Sequence, residues 1–164
     1  MADTIAVMHD GELQQLGSPR EVYNKPVNAW VAGFVGEPAM NFVDVSVEDR
    51  GGKVNFTHLN FVIPVTDEQH RLVSASNAKQ LRMGVRPDAL SISMSKPTEP
   101  HIVGKIFVTE LLGGDMIIDV DLDDSRLRVK TSTEFEGLDG QICYMTINRD
   151  KWHAFSKENG KALF

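Results

Sequence analysis

Residues 102–131 read IVGKIFVTELLGGDMIIDVDLDDSRLRVKT. Three apolar runs, Ile102 to Leu112, Met116 to Leu122 and Arg126 to Thr131, are cut by Gly113-Gly114-Asp115 and Asp123-Asp124-Ser125. Runs of this length, rich in β-branched residues and bounded by turn residues, predict consecutive antiparallel strands. Gln141 to Asn148 predicts a fourth strand, and Trp152 to Phe155 with Lys161 to Phe164 a closing pair around the turn 156–160. Upstream, Phe42, Val43, Val45 and Val47 predict a strand that ends at Asp49-Arg50-Gly51-Gly52, with Lys53 to Phe56 returning beside it. Leu59 to Val65 adds another apolar run, residues 67–75 one helical turn or two, and Gln80 to Val85 a further strand. Arg86-Pro87-Asp88-Ala89-Leu90 reads as a turn opening a brief helical segment, and Pro97 to Pro100 as a short linker. Many short strands with turn signals every 8 to 12 residues predict a mainly β protein built as a small barrel.

The first 40 residues carry a different pattern. Ile5 to Met8 and Glu12 to Leu16 flank His9-Asp10-Gly11, whose Asp-Gly pair suits a tight hairpin. Ser18-Pro19-Arg20-Glu21 combines a cap, a proline for the first helical position and the glutamate of a capping box. Pro26 keeps that helix short, and Asn28 starts another in which Trp30, Val31 and Phe34 share a face. Gly36 predicts its end, with Pro38 just beyond. This opening has too little apolar surface to fold alone.

Composition narrows the functional classes. The chain has 164 residues, 41% hydrophobic and 24% charged, the balance of a soluble globular protein with a real core. Its net charge of −6 argues against a nucleic-acid partner, which needs a basic surface. Aromatic residues make up only 7%, too few for the stacking groove of a nucleic-acid-binding barrel. No apolar stretch approaches the length of a membrane span, and residues 1–10 lack the basic and apolar regions of a signal peptide. A single cysteine excludes an internal disulfide and fits a reducing compartment.

No catalytic constellation is visible. The sequence contains no phosphate-binding Gly-x-x-x-x-Gly-Lys-Ser/Thr loop, no dinucleotide fingerprint and no nucleophile elbow. His9, His58, His70, His101 and His153 are scattered without metal-ligand spacing, so no cofactor or metal is expected in this chain. Cys143 lies within the apolar run Ile142-Cys143-Tyr144-Met145 and reads as a small core residue. Asp121, Asp123 and Asp124 lack the glycine and distal glutamate of a calcium loop and read as an exposed turn. Pro87 restrains Arg86 to extended geometry, from which Arg86 either braces the fold through Asp88 or Glu110 or meets another subunit. Trp30 and Trp152 read as core or hinge packing, with an interface role as the other reading.

A family resemblance runs through nearly the whole chain. It rests on residues 2–8, Gly11, Gln14 to Pro19, Glu21-Val22-Tyr23, Pro26, Asn28, Val31 to Gly36, Pro38 and Met40-Asn41-Phe42. Gly84 to Asp88, Val108 to Gly113, Asn148 to Lys151 and Phe155 to Leu163 extend it. In this order the motifs resemble the C-terminal part of ATP-binding subunits of ABC importers, of the maltose, multiple-sugar and glycerol-phosphate type. The resemblance implies an oligomer-binding (OB) fold of the transport-associated type over residues 39–164. It also implies that residues 1–38 are the tail of an ATPase domain whose catalytic motifs lie upstream. ATP and magnesium then belong to the parent subunit, and this chain is not an enzyme. The implied role is a regulatory and dimerisation domain, cytoplasmic and held at the inner face of the membrane by its complex. Its implied partners are a second copy, permease subunits, a solute-binding protein and an uptake-regulating protein. The family's regulatory positions match Phe42, Gly84 and Gly113, which also read as a core anchor and two turn glycines. Barrels of related molybdate- and sulfate-type importers resemble oxyanion-binding domains, so an oxyanion or small-ligand sensor is the alternative.

Overall fold

The computed structural model describes residues 2–164; Met1 lies outside. The N-terminal hairpin pairs β1 (Ile5–His9) with β2 (Glu12–Gly17) around Asp10 and Gly11, both at positive φ. Helix α1 (Pro19–Asn24) starts on the predicted capping box, with Ser18 Oγ accepting from Glu21 N and the Glu21 carboxylate accepting from Ser18 N. Helix α2 (Ala29–Phe34) is capped by Asn28, whose side chain accepts from Val31 N at 2.8 Å. The remaining ten strands then build two sheets. They are β3 (Asn41–Arg50), β4 (Lys53–His58), β5 (Phe61–Pro64), β6 (Gln80–Val85), β7 (Leu90–Ser93), β8 (Ile102–Leu112), β9 (Asp115–Asp121), β10 (Arg126–Ser132), β11 (Ile142–Ile147) and β12 (Trp152–Ser156).

One sheet has the order β12-β6-β3-β4-β5 and the other β10-β9-β8-β11-β7, every ladder antiparallel. The second sheet curls until its end strands β10 and β7 approach, without a ladder between them. The core lies between the sheets, where Phe56, Leu81, Met83, Ile102, Ile106, Ile118, Leu127 and Met145 are fully buried. Trp152 packs there against Phe56 and Phe164. Asn41 ties the sheets together: Nδ2 donates to Arg128 O at 2.8 Å, and Oδ1 accepts from Arg128 N at 2.7 Å. The buried amide thereby meets donor and acceptor on one backbone unit, which makes its burial affordable.

Three local expectations change. Residues 67–76 form α3 (Asp67–Ser76), a ten-residue helix, because Thr66 and Gln69 complete a capping box and Asn77 ends it in the left-handed conformation. After the 3-10 turn at 87–89 the chain extends into β7, a strand too short and too polar to stand out in the sequence. Residues 161–164 form no regular strand but line the open edge of β12, where Leu163 N donates to Ala154 O and Ala154 N to Phe164 O.

Cys143 is fully buried on β11, and burial pushes its thiol up to about 11. Both exposure and ionisation therefore oppose reaction. Ellman's reagent should modify the folded chain at least about 10³-fold more slowly than the urea-unfolded chain, in line with the rarity of global opening. Rapid modification of the folded chain would contradict this packing.

Candidate functional site

Across the first sheet, Phe42, Gly84 and His153 stand directly opposite one another on β3, β6 and β12. Alternation turns Val43, Val45, Leu81, Met83, Val85, Trp152 and Ala154 toward the main core. The other face, carrying Phe42, Gly84, Arg86, His153 and Phe155, is covered by α2 and the C-terminal residues. Ala32, Met40 and Phe155 form a small second core on this face, with Ala29, Phe42 and Ala162 around it. Backbone bonds stitch the same seam: Ala29 N donates to Gly160 O at 2.8 Å and Ala162 N to Val27 O at 3.0 Å.

Gly84 is where the seam comes closest to a strand. A Cβ there would lie 2.6 Å from Met40 Sδ and 2.7 Å from Phe155 Cε2. The residue is buried in mid-strand rather than placed in a turn, so its missing side chain serves close approach. Phe42 meets Phe155 edge-on at 5.8 Å between ring centroids. Gly113, by contrast, occupies the exposed turn between β8 and β9, at φ 65°. The sequence-derived positions Phe42, Gly84 and Arg86 thus meet at one seam, and Gly113 sits in the other sheet.

Arg86 corrects one expectation. Its guanidinium reaches neither Asp88 nor Glu110 for an ion pair. Instead Nη2 donates to Tyr23 O at 2.8 Å, and Nη1 donates to Ala32 O at 3.0 Å and closely to Val35 O. The group lies 4.0 Å over the Tyr23 ring and is only 3% exposed. Extended backbone at Arg86 (φ −69°, ψ 147°), fixed by Pro87, turns the side chain onto the helix-covered face. Burial holds its pKa below the usual arginine value, opposed by the nearby Tyr23 and Asp88. Sequence reasoning missed Met40, Phe155 and Gly36 as parts of this seam. Their only signal was position beside Pro38 and at the chain's end.

His153 borders the same seam. Burial lowers its pKa below the ordinary 6.5, the Phe164 backbone works against that, and Arg86 lowers it further. A depressed histidine pKa means the unfolded state takes up the proton first, so its contribution is complete above pH 6.5 and is lost as pH falls through the folded value. Thermal midpoints should therefore decline from pH 7 toward pH 5, and His153→Gln should flatten that decline. An unchanged slope in the variant would assign the titration elsewhere.

The polar groove on the outer side of β3 and β4, about 500 Å³, is lined by Asp44, Glu48, Arg50, His58, Asp124 and Lys157 among others. Its charged groups are already paired, Arg50 with Glu48 at 2.8 Å and Lys157 with Asp44 at 2.9 Å, and His58 Nε2 lies 2.9 Å from Asp124 Oδ1. Trp30 stacks between His9 and Phe34 on the N-terminal segment. Among the described residues no group of three or more His, Cys, Asp or Glu could hold a metal ion, and no helix is long and apolar enough to cross a membrane.

The family model of the MalK OB fold domain matches residues 36–90, which span the seam from Gly36 through Arg86. The trehalose/maltose import ATP-binding protein MalK of Thermococcus litoralis is 33% identical, over 100% of this chain and 45% of its own length. The diacetylchitobiose uptake system ATP-binding protein MsiK of Streptomyces coelicolor is 32% identical, over 99% of this chain and 46% of its own. The multiple sugar-binding transport ATP-binding protein MsmK of Streptococcus mutans is also 32% identical over the same shares. The chain spans less than half the length of these relatives. Among solved structures, the cytoplasmic molybdate-binding protein ModG has a similar fold, with TM-score 0.54 and 13% identity over 70% of this chain and 94% of that one. Over nearly its whole length the chain is similar to ATP-binding subunits of sugar ABC importers, and its residues 36–90 match their MalK OB fold domain.

Proposed function

We propose that this chain is the regulatory and dimerisation domain of an importer's ATP-binding subunit, with residues 1–38 as the adjoining tail of the ATPase domain. The observation that carries the reading is the seam. Phe42 and Gly84, two positions that the family resemblance implies are regulatory, are cross-strand partners beneath α2, where the N-terminal segment meets the β domain. A change in the upstream body would reach the β domain here first. Nucleotide chemistry belongs to the parent subunit, since phosphoryl transfer needs a phosphate-binding loop that these residues lack. Sugar import, permease subunits, a solute-binding protein and an uptake-regulating protein are the parent's proposed context, at the inner face of the membrane. A dimer contact in this domain would raise the effective concentration of two catalytic halves for each other. The oxyanion-sensing alternative has less support, because the basic groups of the groove, Arg50 and Lys157, are already paired to carboxylates.

Light scattering over a range of concentrations tests the reading. A stable species at twice 18.2 kDa is expected. A monomer throughout would overturn autonomous dimerisation.

A further inference from the structure

We propose that Arg86 is a positioning residue that couples the N-terminal helices and the β domain as a two-way latch. The proposal deepens the regulatory reading above and rests on it only for what lies upstream.

The last carbonyls of a helix have no partner within it and carry the negative end of its dipole. Arg86 meets such carbonyls from both helices at once: Tyr23 in the last turn of α1, and Ala32 with the capping residue Val35 in α2. A planar fork of donors suits this geometry, because Nη1 and Nη2 point to different helices. Tyr23 adds its ring face beneath the cation. Gly36 supplies clearance. It stands at φ 118°, and a Cβ there would lie 2.8 Å from Nη1 and 3.1 Å from Tyr23 Cε2.

Arg86 has no carboxylate within ion-pair distance among the described residues, and its Nε is buried without an acceptor. Helix-end carbonyls are thus the main compensation for a charge buried on β6's end. If either helix undocks, the guanidinium loses that helix's acceptors and part of its cover, so the docking of one helix favours the docking of the other. Linkage makes the effect reciprocal: whatever disturbs the end of β6 weakens the docking of α1 and α2. The latch therefore transmits a state of the upstream body into the β domain, and the reverse.

The test uses the full chain with spin labels at introduced cysteines replacing Glu12, at the start of β2, and Lys53, at the start of β4; both sites are exposed and Cys143 is buried. The unmodified Arg86 chain should give one narrow distance distribution. Arg86→Met, which keeps the apolar stem and removes the donors, should broaden it, with amide exchange in α2 about tenfold or more faster while β8 and β9 are unchanged. Arg86→Lys should broaden it too, because one ammonium cannot span both helices. Should Arg86→Met fail to fold, Gly36→Ala gives the same reading, since its Cβ, 2.8 Å from Nη1, displaces the guanidinium from the helix ends and adds the strain of a side chain at φ 118°. A narrow distribution in Gly36→Ala and in folded Arg86→Met overturns the latch, as does full restoration by Arg86→Lys. Light scattering of the same samples separates the two proposals. A monomer whose width responds to these variants ends the dimerisation reading and keeps the latch; a dimer whose width ignores them does the reverse.

Discussion

Phe155→Ala should lower stability by about 3–5 kcal/mol, the usual cost of emptying a fully buried aromatic site. Phe155 has no exposed surface, fills the second core with Ala32 and Met40, and gives Phe42 its edge-on partner. Its neighbours come from α2, the connector and the sheet, so relaxation into the void requires moving all three. Domains of this size hold only about 5–15 kcal/mol in total, so the loss is a large fraction of it. Urea denaturation followed by the fluorescence of Trp30 and Trp152 reads the change as a lower midpoint at similar slope. A shift worth less than about 1 kcal/mol would mean that the ring does not fill the seam.

The opposite error, overfilling, should cost less but act at the same place. Gly84→Val adds three carbons where even one would sit 2.6 Å from Met40 Sδ and 2.7 Å from the Phe155 ring. The thioether of Met40 can move, whereas Phe155 is walled in. Gly84→Val should therefore destabilise by roughly 3 kcal/mol, at the upper end for overpacked cores, and Gly84→Ala by about 1 kcal/mol. Pairing Met40→Ala with Gly84→Val should recover part of the loss, because the deleted side chain is the nearer of the two in the way. Strict additivity of the two changes would place the obstruction elsewhere. By contrast, Gly113→Ala meets nothing within 4 Å and pays only for its φ of 65°. The two glycines that resemblance sets side by side are thus physically unlike.

The strands of the second sheet were legible because alternation, β-branched residues and Gly or Asp turns all agree between 102 and 148. The capping boxes at Ser18 and Thr66 are equally local, but only the first has a proline at the first helical position to mark it in the sequence. Arg86 shows where local reading stops. From sequence an arginine between a strand and Pro87 suggests a carboxylate partner, and Asp88 is beside it. Its actual acceptors are neutral carbonyls 51 to 63 residues away, which converge only once α1 and α2 have docked. Gly84 failed for the same reason. An internal strand glycine looks like a turn until Met40 and Phe155 are seen lying over it. β7 was missed because four residues ending in serine carry too little pattern.

The N-terminal segment and the β domain share one folded unit through this seam. Native-state hydrogen exchange on the unaltered chain tests it directly. The amides of Ala32 and Val35, bonded to Asn28 O and Val31 O, should open with the same free energy as those of Val43 and Met83 in the sheet. Exchange of the α2 amides through a separate opening, orders of magnitude more frequent than that of the sheet, would contradict the account.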